Sequence, residues 1–165
     1  MENCFDLSGR VAVAIGATSG IGRAIAIGLA RHGADVVPTG RRKEHVQNAC
    51  REIESAGRRT ICRTTDVTDR ESIDALRDAV LQRLGRVDIL VNAAGVTFKR
   101  PTATVEEEHW DALIQTNLNG ALRACQSFYE SLKASGRGRV INIASLGSFL
   151  AFHEVAAYCA TKTAL

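Results

Sequence analysis

A chain of 165 residues has the length of one ordinary domain, and its 45% apolar and 24% charged residues exclude a disordered or fibrous protein. The formal charge of +3 is scattered apart from Arg41-Arg42-Lys43, and aromatics reach only 5%, so no nucleic-acid partner is expected. Cys4, Cys50, Cys62, Cys125 and Cys159 are odd in number and form no Cys-x-x-Cys, the start Met1-Glu2-Asn3-Cys4-Phe5-Asp6 lacks a signal-peptide pattern, and no apolar run nears the ~18 residues of a membrane span; reduced thiols, no metal, no membrane and a cytoplasmic location are expected.

The first predicted strand, residues 11–15, runs into Gly16-Ala17-Thr18-Ser19-Gly20-Ile21-Gly22. A helix follows, with Ile21, Ile25 and Leu29 as its apolar stripe and Gly33 as its C-terminal cap. Glycines at a strand-to-helix turn permit tight reversal and let backbone N–H groups and the helix dipole meet an anion, although a purely structural turn has the same composition. Residues 35–39 form the second predicted strand, in which Pro38 should cause a bulge or an end. Arg41 follows, with a planar donor fork suited to phosphate; a solvated arginine opening a helix is the alternative.

Residues 60–65 are the third predicted strand, leading to Asp66-Val67. Thr68-Asp69-Arg70-Glu71 then reads as a capping box for a helix carrying Ile73, Leu76, Val80 and Leu84 and closed by Gly85. A fourth strand, residues 87–91, precedes Asn92-Ala93-Ala94-Gly95, and Thr104-Val105-Glu106-Glu107 opens a long helix that carries Asn117. The fifth strand, residues 139–143, leads to Ser145. Tyr158 and Lys162 lie four apart and so share a helix face, where an ammonium favours the ionised form of a phenol. An isolated Tyr-x-x-x-Lys is more often an ordinary amphipathic helix. Strand-helix alternation of this kind requires right-handed crossovers and predicts a doubly wound α/β domain with a parallel sheet over residues 1–165. The glycine turn, Asp66, Asn92, Ser145 and the Tyr158 helix all follow the carboxyl ends of strands, the edge where such sheets bind ligands.

The Gly-x-x-x-Gly-x-Gly turn, Asp66-Val67, Asn92 to Gly95, Asn117, Ser145 and Tyr158-x-x-x-Lys162, in this order, resemble the short-chain dehydrogenase/reductase family from about Leu7 to the last residue. Two departures are Ile15 for the usual threonine before the first glycine and Ala93 for the usual second asparagine. The resemblance implies a Rossmann-like fold whose nicotinamide cofactor is held by Gly16, Thr18, Ser19, Gly20, Ile21 and Gly22, with Asp66 and Val67 at the adenine and Asn92, Ala94 and Gly95 beneath it. It implies that Tyr158 exchanges a proton with the substrate oxygen, Lys162 promotes ionisation of that phenol and binds the nicotinamide ribose, Ser145 hydrogen-bonds the substrate carbonyl, and Asn117 holds a relay water near Lys162. Where an NAD site places an acid, this chain reads Thr39-Gly40-Arg41, so Arg41 should read a 2′-phosphate and favour NADP(H) over NAD(H).

The implied partner is a small carbonyl or alcohol. Residues 146–155, with Phe149, Phe152 and His153, are similar to members acting on sugar acids, and much of the remainder to 3-oxoacyl thioester reductases. Whole members continue the Tyr-Lys helix and add two strands. The chain is therefore expected to be truncated at its C-terminus, weak or inactive alone, with residues 139–143 as an uncovered apolar edge, and to form a homo-oligomer when complete. A nucleotide-binding module without turnover is the competing expectation.

Overall fold

The computed structural model describes residues 5–165; Cys4 and the expectations for the first four positions lie outside the described residues. At the centre is β1 (Val11–Ile15), buried throughout. Successive side chains of a strand face opposite sides. Val11, Val13 and Ile15 thus enter one core with Val37 of β2 (Asp35–Thr39) and Leu90 of β3 (Ile89–Asn92), whereas Ala12 and Ala14 enter a second core with Val36 and Val91. Ile73, Leu76 and Val80 of α3 (Arg70–Leu84), with Ala124 and Phe128 of α5 (Gly120–Ala134), close the first core. The second is closed by Ala26 and Ala30 of α1 (Gly20–Arg31) and Ile53 of α2 (Lys43–Ser55).

The sheet is parallel with the order β2-β1-β3-β4, where β4 is Arg139–Asn142. This is the doubly wound α/β arrangement expected from the strand-helix alternation. From β1 the chain passes to one side to make β2 and to the other to make β3, so the order reverses between β1 and β3. Ligands bind at that switch point in open parallel sheets. β4 is the open edge, with Val140 47% and Ile141 40% exposed, as expected for residues 139–143.

Residues 60–65 run beside β2 without forming the third strand predicted there. Pro38 is the physical reason. Asp35 N donates to Arg10 O at 2.9 Å and Gly16 N to Thr39 O at 2.9 Å, so odd-numbered positions of β2 face β1, whereas Val36 N turns outward to Arg59 O at 3.1 Å. Pro38 therefore pairs in register with Ala14, with neither bulge nor strand end, and its missing N–H falls on the side where residues 60–65 would need it. The Thr39 hydroxyl offers a substitute by donating to Arg63 O at 2.6 Å.

Helix positions also differ from expectation. The buried line of α1 is Gly22, Ala26 and Ala30 rather than Ile21, Ile25 and Leu29, and Ile21 is 67% exposed. This helix lies on the alanine face of β1, where small residues let it approach closely. The cap of α3 is Asp69, which accepts from Glu71 N at 3.0 Å; Thr68 turns back to Asp66 instead. Gly85 closes α3 with φ 79°, as expected. Gly33, at φ 101°, follows α1 as its expected terminator. Thr104 does not open a long helix: it ends a 3₁₀ turn, Thr102–Thr104, and donates to Pro101 O at 3.3 Å. After that turn the chain forms α4 (Glu107–Leu113), a π-helical stretch (Ile114–Asn119), and then α5.

Asp88 ties the foot of the sheet together. Its buried carboxylate accepts from Val11 N at 2.9 Å and from Arg86 Nε and Nη2 at 2.8 and 2.6 Å. Asp88→Ala leaves the Val11 amide buried without an acceptor and should cost about 1–3 kcal/mol of unfolding free energy in urea. An unchanged midpoint would show that this carboxylate does not anchor β1.

Candidate active site

Gly16 begins the turn after β1 with φ 80°, a conformation that favours glycine. A Cβ there would lie 2.5 Å from the carbonyl carbon of Ala93, and one on Gly22 would collide with Gly16 O. The turn, the start of α1 and the turn after β3 are thus packed backbone to backbone. Ser19 caps α1 in an extended conformation without a side-chain cap bond. The first amides of α1 consequently point out of the helix end, as in anion-binding helix N-termini. Thr18 packs on Gly40, bringing the end of β2 beside this turn.

A cleft of about 720 Å³ crosses the carboxyl edge of the sheet. Gly16, Thr18, Ser19, Gly20, Ile21 and Gly22 line it, with Arg41, Asp66 and Val67, Ala94 and Gly95, and Tyr158 and Lys162. Arg42 also lines it and reaches Ser19 Oγ with Nη2 at 3.4 Å, although the sequence pattern singles out only Arg41 of the basic cluster. A second hollow of about 360 Å³, beside Lys43, Val46, Gln47, Cys62, Arg63 and Thr64, contains none of the candidate residues.

Burial works against ionisation of Asp66. The amide and hydroxyl of Thr68, donating to Oδ1 at 2.9 and 2.8 Å, and the charge of Arg41 outweigh it and hold the carboxyl below its usual range. Asn92, expected beneath the cofactor, stands behind the cleft wall: its Nδ2 donates to Asn142 Oδ1 at 2.9 Å and Cys125 Sγ at 3.4 Å, clipping β3 to β4. Ala94 and Gly95 provide the surface itself.

Asn117 projects from the π-helical stretch and is almost fully buried. Its Oδ1 accepts from Val96 N at 2.8 Å, and its Nδ2 donates to Val96 O at 2.9 Å and Thr161 Oγ1 at 3.1 Å. Tyr158 and Lys162 belong to α6 (Ala156–Ala164), and Lys162 Nζ lies 6.0 Å from the Tyr158 ring centroid. This ammonium donates to Ile143 O at 2.6 Å, and burial pushes its pKa below the ordinary lysine range. A Cβ on Gly95 would stand 3.4 Å from Asn117 Oδ1 and 3.8 Å from Lys162 Nζ, so the turn after β3 brings these two residues to one place.

Ser145 lies just outside the cleft wall, as the cap of a short 3₁₀ turn (Leu146–Ser148). Its Oγ accepts from Gly147 N at 3.1 Å, which leaves the hydroxyl proton to donate elsewhere. A Cβ on Gly147 would be 3.5 Å from Ser145 Oγ and 3.6 Å from Tyr158 Cε1, so the serine hydroxyl and the phenol ring both border Gly147. Thr161, which no sequence motif marks, joins the site: its buried hydroxyl donates to Tyr158 O at 2.8 Å while accepting from Asn117. His153, expected in the loop before Tyr158, is exposed with Nε2 3.4 Å from Glu154. Among the described residues no group of His, Cys, Asp or Glu is arranged to hold a metal ion. No helix among them is long and apolar enough to cross a membrane.

The family model for short chain dehydrogenases matches residues 10–165. Gluconate 5-dehydrogenase of Gluconobacter oxydans (strain 621H) is 37% identical over 161 residues, or 98% of this chain and 63% of that enzyme. Two solved structures share the fold. A gluconate 5-dehydrogenase from Burkholderia cenocepacia J2315 in complex with NADP and tartrate has a TM-score of 0.90 and 36% identity, over 97% of this chain and 63% of that one. An alcohol dehydrogenase from the archaeon Thermococcus sibiricus complexed with 5-hydroxy-NADP has a TM-score of 0.89 and 32% identity, over 94% and 66%. This chain thus spans somewhat under two thirds of the length of each.

Proposed function

This chain belongs to the short-chain dehydrogenase family, and on that basis we propose that it is the cofactor-binding and acid/base domain of an NADP(H)-dependent oxidoreductase acting on a carbonyl or alcohol. The observation that carries this reading is the single cleft joining the glycine turn to Tyr158 and Lys162. The close backbone packing at Gly16 and Gly22 fits a pyrophosphate lying on the α1 N-terminus. A nicotinamide cofactor, when bound, would supply or accept the hydride.

The chain's own residues do the rest. The amides of Gly20, Ile21 and Gly22 hold the pyrophosphate, and Thr18 and Ser19 border it. Asp66, kept ionised, accepts from the adenine amino group, with Val67 beside it. Ala94 and Gly95 form the floor, and Asn92 supports it from behind by holding β3 to β4. Lys162 has three donors and spends one on Ile143 O, which leaves the others for ribose hydroxyls. Ser145 donates to the substrate oxygen and orients it toward Tyr158, which gives or takes the proton there. Asn117, held by Val96 and Thr161, positions a relay water near Lys162.

Sugar acids are the first substrate class, supported by the two gluconate 5-dehydrogenases among the similar proteins. A 3-oxoacyl thioester is the second, favoured by the exposed apolar side chains of Leu146, Phe149 and Leu150 beside Ser145. The reading includes a homo-oligomer in the cytoplasm. Hydride transfer to carbonyl panels, followed by nicotinamide absorbance beside calorimetric NADPH binding, tests it; binding without turnover would favour a nucleotide-binding module instead.

Cofactor choice rests on Arg41, with Arg42 adjacent and no acid at Gly40. Arg41→Ala should weaken NADPH binding about 10- to 100-fold, the worth of a charge-assisted hydrogen bond, and change NADH binding less than about twofold. Equal losses for the two cofactors would mean that Arg41 does not read the 2′-phosphate.

A further inference from the structure

Ser148 has no role in the proposed chemistry, yet its hydroxyl joins two parts of the site. The Oγ donates to Lys162 O at 2.6 Å and accepts from Ser145 N at 3.4 Å. On the other side of Ser145, Ile143 O accepts from Lys162 Nζ at 2.6 Å. The segment carrying Ser145 is therefore held at both ends by Lys162, through its side chain before the serine and its main chain after it. Inside that span, Gly147 N fixes the Ser145 Oγ by donating to it at 3.1 Å.

Apolar burial does little to hold this turn, since Leu146, Phe149 and Leu150 are all exposed, Phe149 to 85%. Directional bonds must set its position. Thr163 adds little, since its single hydroxyl proton goes to Cys159 O at 2.9 Å and Ser148 O lies farther off, at 3.3 Å. The bond to Lys162 is what distinguishes Ser148 from an ordinary turn residue. A local cap needs only the Ser145 amide, whereas the Lys162 carbonyl lies 14 residues away on the helix that carries Tyr158.

Resting on the roles given above to Ser145, Tyr158 and Lys162, we propose that Ser148 is a positioning residue that locks the Ser145 hydroxyl in register with Tyr158 by clamping the turn to α6. Its removal lets the turn slide along the helix. Misplacement of a reacting group by about 1 Å costs on the order of 100-fold in rate, so partial loosening should cost about tenfold. Cofactor binding should be spared, because Ser148 does not line the cleft.

The test compares Ser148→Ala and Ser148→Thr with the unmodified intact protein. The probes are D-gluconate with NADP and an acetoacetyl thioester with NADPH, and the further readouts are NADPH dissociation constants and hydrogen exchange of the 145–149 amides. For Ser148→Ala the expected result is a roughly tenfold loss of kcat, a cofactor dissociation constant within about twofold, and about tenfold faster exchange at those amides, with kcat and exchange both restored by Ser148→Thr. Unchanged exchange in Ser148→Ala would overturn the inference even if neither probe is turned over. So would a parallel loss of kcat, cofactor affinity and stability that threonine does not rescue, which is the mark of a merely structural residue. A Tyr158→Phe control separates the two possible failures. Full activity in that control overturns the reading of the site itself, whereas an inactive control beside a fully active Ser148→Ala overturns the role of Ser148 alone.

Discussion

In the intact enzyme, Tyr158→Phe should lower turnover by about 10³-fold while leaving NADPH affinity within about twofold, the expected worth of a positioned general acid being 10²–10⁴. The substitution removes one hydroxyl and keeps the ring. The Lys162 ammonium, 6.0 Å from the ring centroid, retains its hydrogen bond to Ile143 O, and the Tyr158 carbonyl still accepts from Thr161 Oγ1. The scaffold is thus untouched, and so are the glycine turn, Arg41 and Asp66 at the far end of the cleft. A factor of 10³ corresponds to about 4 kcal/mol of transition-state stabilisation. Steady-state kinetics beside NADPH titration checks both halves of the prediction. Retained turnover would remove Tyr158 from the chemistry, and a large loss of NADPH affinity would assign it to binding instead.

Gly16→Ala should be the most damaging single-methyl change in the turn. Its φ of 80° costs an alanine roughly 1–2 kcal/mol before any contact is considered. The added Cβ also meets the Ala93–Ala94 backbone, which cannot retreat cheaply because Ala93 N donates to Ile15 O at 2.8 Å, and Gly16 N is itself bonded to Thr39 O. Overpacking of this kind adds about 1–3 kcal/mol. Gly9→Ala is the control, since φ is 74° there and nothing lies within 4 Å of the added methyl. Urea unfolding should show Gly16→Ala losing clearly more stability than Gly9→Ala, and NADPH binding should fail only in the former. Equal losses would mean that the close approach of the two turns is not what requires glycine.

Much of this molecule is legible in its sequence because its chemistry-bearing turns are local. The glycine turn follows from positive φ and close backbone approach, which leave a compositional trace at Gly16 and Gly22. β1 is legible from its valine-alanine alternation, which also divides the two cores. The α1 face is misleading for a related reason. Large apolar side chains suggest a buried line through Ile21, Ile25 and Leu29, but a helix lying on Ala12 and Ala14 packs through Gly22, Ala26 and Ala30, and Ile21 is left at the cleft. Residues 60–65 look like a strand from composition, yet the missing donor belongs to Pro38, on a neighbouring segment. Asn92 stands out by its motif, but only the fold shows that its amide is spent on Asn142 and Cys125. Thr161 and Ser148 leave no usable sequence trace, because their partners Asn117 and Lys162 are 44 and 14 residues distant.

Hydrogen exchange measured with and without NADPH tests most directly whether one cofactor spans the cleft from Arg41 to Tyr158. The expected result is slowed exchange at both ends together, at the amides of Gly20, Ile21 and Gly22 and at residues 158–162, with residues 93–96 between them also slowed and a weaker footprint from NADH. Protection absent from one end, or confined to the hollow beside Lys43 and Cys62, would contradict a single dinucleotide site built from these residues.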